Sequence, residues 1–407
     1  MERLLFLFFF TLISVLLDVY FSKVISKYSF FKKHITIKIL YWSFTVITVI
    51  NLIIYSLSIN LDYYSKTILF NLVLGNFISK LVALPFLLID DLRRILIYFF
   101  SNKNKKVNEG GIPRSKFLSL SASLAYGLPI TTLTYGIISN NVYDYRVRKK
   151  EIYFDRLPKS FDGIKICHIS DLHIGSLRNR LAATGGIDLI SQQKADIIFF
   201  TGDLVNDKAN ELNGWGNDLG RIKAPLGVYS VLGNHDYGEY VSWKDNKEKT
   251  NNFSEILSAH KEFGWNLLMN QNTSVSVGSE KINILGVENW ASSRFQQYGK
   301  LDLTYAGLRY DDFKILLSHN PSHWNAQVTN QYKDIDLTLS GHTHGLQYGI
   351  EIGDLRWSPS KFAYKQWADL YKLNNQQIYV NRGFGFLGYQ GRVGILPEIS
   401  ILTLKRT

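Results

Sequence analysis

The chain has 407 residues, room for two domains, and a formal net charge of +12. That charge is confined to one part: residues 1–150 hold 19 Lys and Arg against 7 Asp and Glu, whereas residues 151–407 hold 27 of each. The part able to fold in water is neutral, which argues against a nucleic-acid partner, and the single cysteine excludes a disulfide framework or a thiolate zinc site.

In chain order, Leu4–Tyr20 is an apolar run with no small-residue cleavage site after it, which favours an uncleaved anchor over a signal peptide. Ile37–Ile59, Thr67–Ile89 and Phe117–Ser139 are further runs of membrane-spanning length. The last is rich in small residues that permit close helix packing. Between the third and fourth runs, Asp90–Phe100 reads as an interfacial amphipathic helix. Residues 1–148 are thus expected to form a membrane domain of about four helices. Asp18 and Lys80 are charges within these runs; Asp18 lies near a span end and Lys80 has a stem long enough to snorkel. Lys23, Lys27, Lys32 and Lys33 follow the first run; Arg93, Arg94, Lys103, Lys105, Lys106, Arg114 and Lys116 follow the third. The positive-inside bias places both loops in the cytoplasm and everything after Ser139 outside, with Arg146, Arg148, Lys149 and Lys150 as evidence against that orientation.

From Lys149 to Thr407 the pattern becomes that of a soluble α/β domain. β-rich runs are predicted at Lys165–Ile169, Asp196–Phe200, Val228–Leu232, Ile282–Val287, Lys314–Leu317 and Asp336–Leu339, with helices at Leu181–Gln193 and Phe253–Phe263. Cys167 lies in the apolar run Ile164–Ile169 and reads as a buried, unreactive thiol. Asn206–Gly220 and Trp243–Asn252 read as surface loops.

Five of the strands run directly into polar clusters: Ser170-Asp171-Leu172-His173, Thr201-Gly202-Asp203, Gly233-Asn234-His235-Asp236, Ser318-His319-Asn320 and Ser340-Gly341-His342-Thr343-His344. Ligands of α/β folds gather at the carboxyl ends of strands. Five of the nine histidines fall in these clusters; His34, His168, His260 and His323 do not, and are read as structural or loop residues. On an extended strand end Asp171 and His173 share a face and suit one ion. His342 and His344 lie at a turn, where their rings need not face the same ion. Gly202 and Gly341 permit a sharp turn, and the two oxygens of Asp203 allow it to bridge. Carboxylate, imidazole and amide ligands suit Mn, Fe or Zn. Two such ions can clamp a phosphate and generate hydroxide near neutral pH.

In this order the blocks resemble the calcineurin-like metallophosphoesterase superfamily. ISDLHIG, TGDLVN, LGNHDYG, LLSHNP, LSGHTHGLQ and VNRGFG resemble its branch of small membrane-associated bacterial phosphoesterases, over about residues 160–400. The resemblance implies two packed β-sheets flanked by helices, and hydrolysis of a phosphoester or pyrophosphate by metal-bound hydroxide. It implies that Asp171, His173 and His344 hold a first divalent ion and that Asn234, His319 and His342 hold a second. Asp203 would bridge them, His235 would stabilise the transition state or protonate the leaving group, and Asp236 would orient His235. The branch usually has Gly-Gly-Gln after the last histidine; Gly345-Leu346-Gln347 here suggests a narrower mouth. FLGYQG intervenes before Arg392, the expected phosphate contact. With an anchor, the implied partners are the bilayer and a phosphorylated small molecule or lipid: a phospholipid, an undecaprenyl-type phosphate, a lipid-linked nucleotide sugar, or a lipid-A precursor if the site is cytoplasmic. Trp357–Tyr371 supplies either apolar lining or core. The implied location is the bacterial cytoplasmic membrane. A non-catalytic scaffold, which predicts lost ligands, and a nuclease, which predicts a basic face, are the competing readings.

Overall fold

The computed structural model describes residues 2–26, 33–56, 63–100, 114–291, 296–353 and 355–407. Lys27, Lys32, Lys103, Lys105 and Lys106, on which the orientation argument partly draws, lie outside the described residues. The chain divides into two units: Met1–Ile138 with Gly388–Gln390, and Ser139–Leu387 with Gly391–Thr407.

The first unit contains helices α1 (Glu2–Ile25), α2 (Ile35–Ser56), α3 (Tyr63–Phe100) and α4 (Arg114–Ile138). By length and apolar composition, Thr67–Phe100 is long enough to cross a membrane, with a mean hydropathy of 2.1. Asp90–Phe100 is not a separate interfacial helix; it continues α3, a helix of 38 residues. No glycine or proline interrupts the junction, and Asp90 accepts from Arg93 (2.9 Å) and Arg94 (2.7 Å), pairs at i+3 and i+4 that support helix. Nor does Lys80 snorkel. It is fully buried and its ammonium lies 2.6 Å from the Asp18 carboxylate, so Asp18 and Lys80 have each other as partners.

In the second unit the strands are β1 (Arg146–Phe154), β2 (Lys165–Ile169), β3 (Ile197–Phe200), β4 (Val228–Ser230), β5 (Asn266–Leu267), β6 (Gln271–Val277), β7 (Glu280–Gly286), β8 (Lys314–Leu317), β9 (Leu337–Ser340), β10 (Ile350–Ile352), β11 (Leu355–Trp357), β12 (Asp369–Leu373), β13 (Gln376–Val380) and β14 (Glu398–Arg406). They form two six-stranded sheets, β1-β14-β2-β3-β4-β5 and β12-β13-β9-β8-β7-β6, and the ribbon β10-β11. Strand alternation builds three apolar layers. Ile166, Ile197 and Phe199 of the first sheet meet Ile284, Ile315, Leu317 and Leu339 of the second in a shared core. Cys167, Ile198 and Phe200 face outward onto α5 (Arg180–Gln192) and α6 (Asn246–Glu262). Leu285, Leu316 and Ile378 pack outward with Trp324 and Val328. The result is a two-sheet sandwich flanked by helices, as expected.

Two differences from the sequence reading have local causes. The basic run Arg146–Lys150 belongs to β1, which pairs in parallel with β14, so regular structure begins before the composition change at Lys149. Helix α6 begins inside the expected loop at Trp243–Asn252. Asp245 caps it by accepting from the Glu248 N–H (2.8 Å), and Glu248 reaches back to the Lys244 N–H (2.8 Å), a start signal legible in the sequence. Cys167 is fully buried, and burial pushes its thiol up to about 12.

Candidate metal centre

β2, β3 and β4 are mutually parallel, as are β7, β8, β9 and β13, so within each sheet the carboxyl ends of these strands lie along one edge. The polar clusters therefore leave their strands on common edges, which brings remote residues together. The backbone that follows is not extended. Asp171, His173, Asp203, His342 and His344 have φ of 54°, 44°, 59°, 71° and 47°, the left-handed region that side chains other than glycine rarely adopt. Asp171 and His173 thus come together through left-handed backbone at both positions and not through strand pleating, and this strain lies at the site. Gly202 fits the expected turn, with φ of 94°. Gly341 serves close approach instead: a Cβ there would lie 1.9 Å from Ser170 Oγ and 2.2 Å from Asp171 Oδ2.

Two groups of donor atoms result, Asp171–His173–His344 and Asp203–His319–His342, each with its ligand atoms within 4.8 Å of one another. In the first, His344 Nε2 lies 3.1 Å from Asp171 Oδ1 and 3.2 Å from His173 Nε2. In the second, His319 Nε2 lies 3.2 Å from Asp203 Oδ2 and 3.2 Å from His342 Nδ1. Asp203 Oδ2 is also 3.5 Å from His173 Nε2, so one carboxylate oxygen faces both groups. Ligands of a single ion at about 2.0–2.2 Å sit roughly 3.0–3.5 Å from each other, the separations found here. His342 and His344 belong to different groups, as their placement at a turn allowed. Asn234 offers an unengaged amide oxygen: its Oδ1 is buried without a hydrogen-bond partner, while Nδ2 donates to the Tyr240 hydroxyl (2.9 Å). An orphaned amide oxygen is costly unless something electropositive meets it.

Protonation differs among the imidazoles of the two groups. Burial, reinforced by neighbouring histidines, pushes His173 and His342 down to about 3, which keeps their imidazoles neutral. Burial alone would raise Asp171, but His344 and His319 hold its carboxyl below the usual range. Burial would lower His319, but Asp203 and Asp171 push it up to about 9. His319 Nδ1–H donates to the Thr201 carbonyl (2.7 Å), which directs Nε2 toward Asp203. His342 Nε2 meets the Tyr364 hydroxyl (3.0 Å), leaving Nδ1 for an ion. Tyr364 lies in the aromatic stretch Trp357–Tyr371 read as lining or core, whereas nothing in the sequence distinguishes Tyr240 from other aromatics.

His235 joins neither group of donors. Its Nδ1–H donates to the Asn206 carbonyl (2.6 Å), and its ring lies 4.5 Å from that of Tyr240 and 5.1 Å from that of His173. Asp236 does not orient it. The buried Asp236 carboxylate accepts from the backbone N–H groups of Gly233 (2.8 Å), Asp203 (2.9 Å), Leu204 (2.8 Å) and Val205 (3.3 Å), tying the Asp203 loop to the Asn234 loop. Arg392 is fully buried and cannot reach a substrate phosphate as expected. It donates to the carbonyls of Ile395, Arg382, Gly383 and Gly385, with Nη2 3.4 Å from His344 Nδ1, and so holds the segment that backs His344. Leu346, in the departure Gly345-Leu346-Gln347, is 52% exposed, with φ of 49°. Of the aromatic stretch, Trp367 is core and Tyr364 touches the site. His168, His260 and His323 are buried on Thr201, Ser230 and Ser318 hydroxyls and belong to neither donor group.

A two-sheet α/β sandwich carrying clustered carboxylate and imidazole donors at its strand ends has the form of a metallophosphoesterase. Residues 164–346 match the family model described as calcineurin-like phosphoesterase, and residues 2–141 match the 4TM phosphoesterase model, described as "Probable Calcineurin-like phosphoesterase, transmembrane domain". The chain is 31% identical over 256 residues to the uncharacterized metallophosphoesterase YkuE of Bacillus subtilis, covering 62% of this chain and 82% of that one. It is 27% identical over 250 residues to YkoQ of the same organism, covering 58% and 82%. It is also 27% identical over 293 residues to a Danio rerio transmembrane protein with metallophosphoesterase domain, covering 70% of this chain and 62% of that protein's length. The chain belongs to the calcineurin-like metallophosphoesterase family, whose members hydrolyse phosphoesters with divalent metals.

Proposed function

We propose that this chain is a membrane-anchored hydrolase of phosphoester or pyrophosphate bonds that works with two divalent ions on an amphiphilic, envelope-related substrate. The observation that carries this reading is Asp203 Oδ2, within 3.5 Å of His173 and 3.2 Å of His319, so that one oxygen joins two donor groups. Asp171, His173 and His344 would hold one ion, Asn234, His319 and His342 the other, with Asp203 bridging. When bound, ions of the Mn, Fe or Zn class supply positive charge to the phosphate and lower the pKa of coordinated water. The chain's own contribution is positional. His235, fixed through Nδ1, presents Nε2 as the atom that holds the proton for the leaving oxygen. Asp236 keeps the two ligand loops in register, and Arg392 holds the segment behind His344.

Anchoring is supported by the match of residues 2–141 and by the apolar length of α3. Lys23 and Lys33, with Arg93 and Arg94, favour a cytoplasmic position for their connections and an extracytoplasmic catalytic unit. The opposing residues count for less, because Arg146, Arg148 and Lys150 sit in β1 and pair with Asp144, Glu351 and Asp369. The test uses the full chain in detergent, loaded with Mn, on bis-p-nitrophenyl phosphate and p-nitrophenyl phosphate. Asp203→Asn is expected to lose metal and turnover. His235→Ala is expected to lower turnover about 10²–10⁴-fold with metal content intact. Turnover that survives Asp203→Asn, or metal loss in the His235 variant, would overturn these assignments.

A further inference from the structure

The ribbon β10–β11 is built inside out. Its register opposes Ile350 to Trp357, Glu351 to Arg356 and Ile352 to Leu355, so one face carries Ile350, Ile352, Leu355 and Trp357 and the other carries Glu351 and Arg356. In a water-soluble ribbon the charged face points out. Here Ile350, Ile352 and Leu355 are 47%, 72% and 64% exposed. The charged face turns onto the body of its own unit. Glu351 accepts from Arg382 (2.6 Å) and pairs with Arg148, while Arg356 pairs with Asp369 (2.7 Å) and lies over the rings of Trp367 and Tyr371. The ribbon is also fastened to the metal centre: it follows the turn His344–Gln347 by two residues, and Ser358 at its exit donates to the Gly345 carbonyl (2.6 Å).

An apolar face held outward by ion pairs on its back, one of them to the fully buried Arg382, is built for an apolar surrounding. We propose that this ribbon dips into the interfacial layer of a bilayer and sets the mouth of the site at the level of lipid headgroups, so that the phosphate ester cleaved is that of a membrane lipid. The inference rests on the membrane-anchored reading above and names its substrate class. Charge favours this occupant: the ribbon's own Glu351 is neutralised inward, while Lys361 and Lys365, just beyond the ribbon, are exposed cations suited to lipid phosphates. Asp354 lies outside the described residues.

The experiment places an environment-sensitive fluorophore on full-length Ile352→Cys, Leu355→Cys and, as a control on an exposed helix end, Lys261→Cys. Each is reconstituted in phosphatidylethanolamine–phosphatidylglycerol vesicles containing acyl-chain spin-labelled lipid; buried Cys167 stays unlabelled. Quenching at 352 and 355 is expected to exceed that at 261 by about twofold or more, as for a face sunk several ångströms below the headgroups. Equal quenching at all three positions would overturn the proposal. So would energy transfer between two labelled copies without lipid quenching, which would make a second chain the occupant. Hydrolysis of soluble bis-p-nitrophenyl phosphate by the same samples separates the two readings. Its absence would count against the phosphoesterase assignment while leaving the depth measurement interpretable, and its presence without quenching would remove only the insertion.

Discussion

Replacing Asp236 by asparagine tests what this carboxylate does. Burial and the neighbouring Asp203 charge push its carboxyl up to about 7, against the pull of backbone N–H donors. Geometry decides for the ionised form in the loaded enzyme. All four of its partners are N–H donors, so a protonated carboxyl would have nothing to donate to, and cations at Asp203 would remove the repulsion. The Asp236→Asn side chain would keep one acceptor oxygen and turn an NH₂ toward two of the four N–H groups. Two buried donors would then lack acceptors, at about 1–3 kcal/mol each, or about 2–6 kcal/mol in all. For a unit of this size, at about 2–4 °C per kcal/mol, that is a fall in Tm of roughly 4–24 °C. The assay is a thermal scan of the metal-loaded full chain in detergent, with bis-p-nitrophenyl phosphate turnover measured at a temperature where both proteins are folded. A Tm within about 1 °C of wild type would refute the ionised, four-donor account, because an asparagine side chain is a near-isosteric mimic of a protonated carboxyl. A shift in the pH dependence of turnover without loss of stability would restore an orienting role toward His235.

Tyr364→Phe should remove the hydroxyl that meets His342 Nε2 and weaken metal binding about 10–100-fold, the usual effect of losing such a partner; a chelator competition titration measures it, and unchanged affinity would exclude Tyr364 from the support of His342. Metal uptake should also depend on pH. In the metal-free protein His319 is raised from 6.5 to about 9, so its protonated pairing with Asp203 stabilises the fold fully below pH 6.5, and that stability is lost as pH rises through 9. A cation must displace that proton, so affinity should rise about tenfold per pH unit between 7 and 9 and level off above. Calorimetry in two buffers of different ionisation enthalpy reads the released proton directly, and no release at pH 7.5 would contradict the assignment.

Much of this site was legible one block at a time. Strand β2 and strand β8 fall at the predicted residues, and a strand that runs straight into Asp-x-His or Gly-His-x-His announces its chemistry through residue type. The strands missed, among them β1, β12 and β14, are those whose pattern does not alternate cleanly: β1 is basic and partly exposed, while β14 is buried along most of its length, with Glu398 and Ser400 taken into polar contacts. The role given to Asp236 was wrong because adjacency in sequence suggests His235 as its partner, whereas the donors that surround it come mainly from residues 203–205, over thirty positions earlier. Arg392 failed similarly: an arginine near a phosphate site reads as a ligand until four carbonyls are found around it.

What the sequence by itself determined was local: which strands end in metal-seeking residues, where helices begin, and that the basic charge belongs to the apolar N-terminal part. The tertiary structure decided everything that depends on convergence. It split His342 from His344, turned the ligands into left-handed backbone, gave the amide of Asn234 its orphaned oxygen, paired Asp18 with Lys80, and set the charged face of the β10–β11 ribbon inward. The reason is physical. Side-chain chemistry and backbone preference travel with each residue, but a hydrogen bond, an ion pair or a shared ion is a property of two or more segments, and only parallel strands delivering their ends to common edges bring those segments within 3.5 Å.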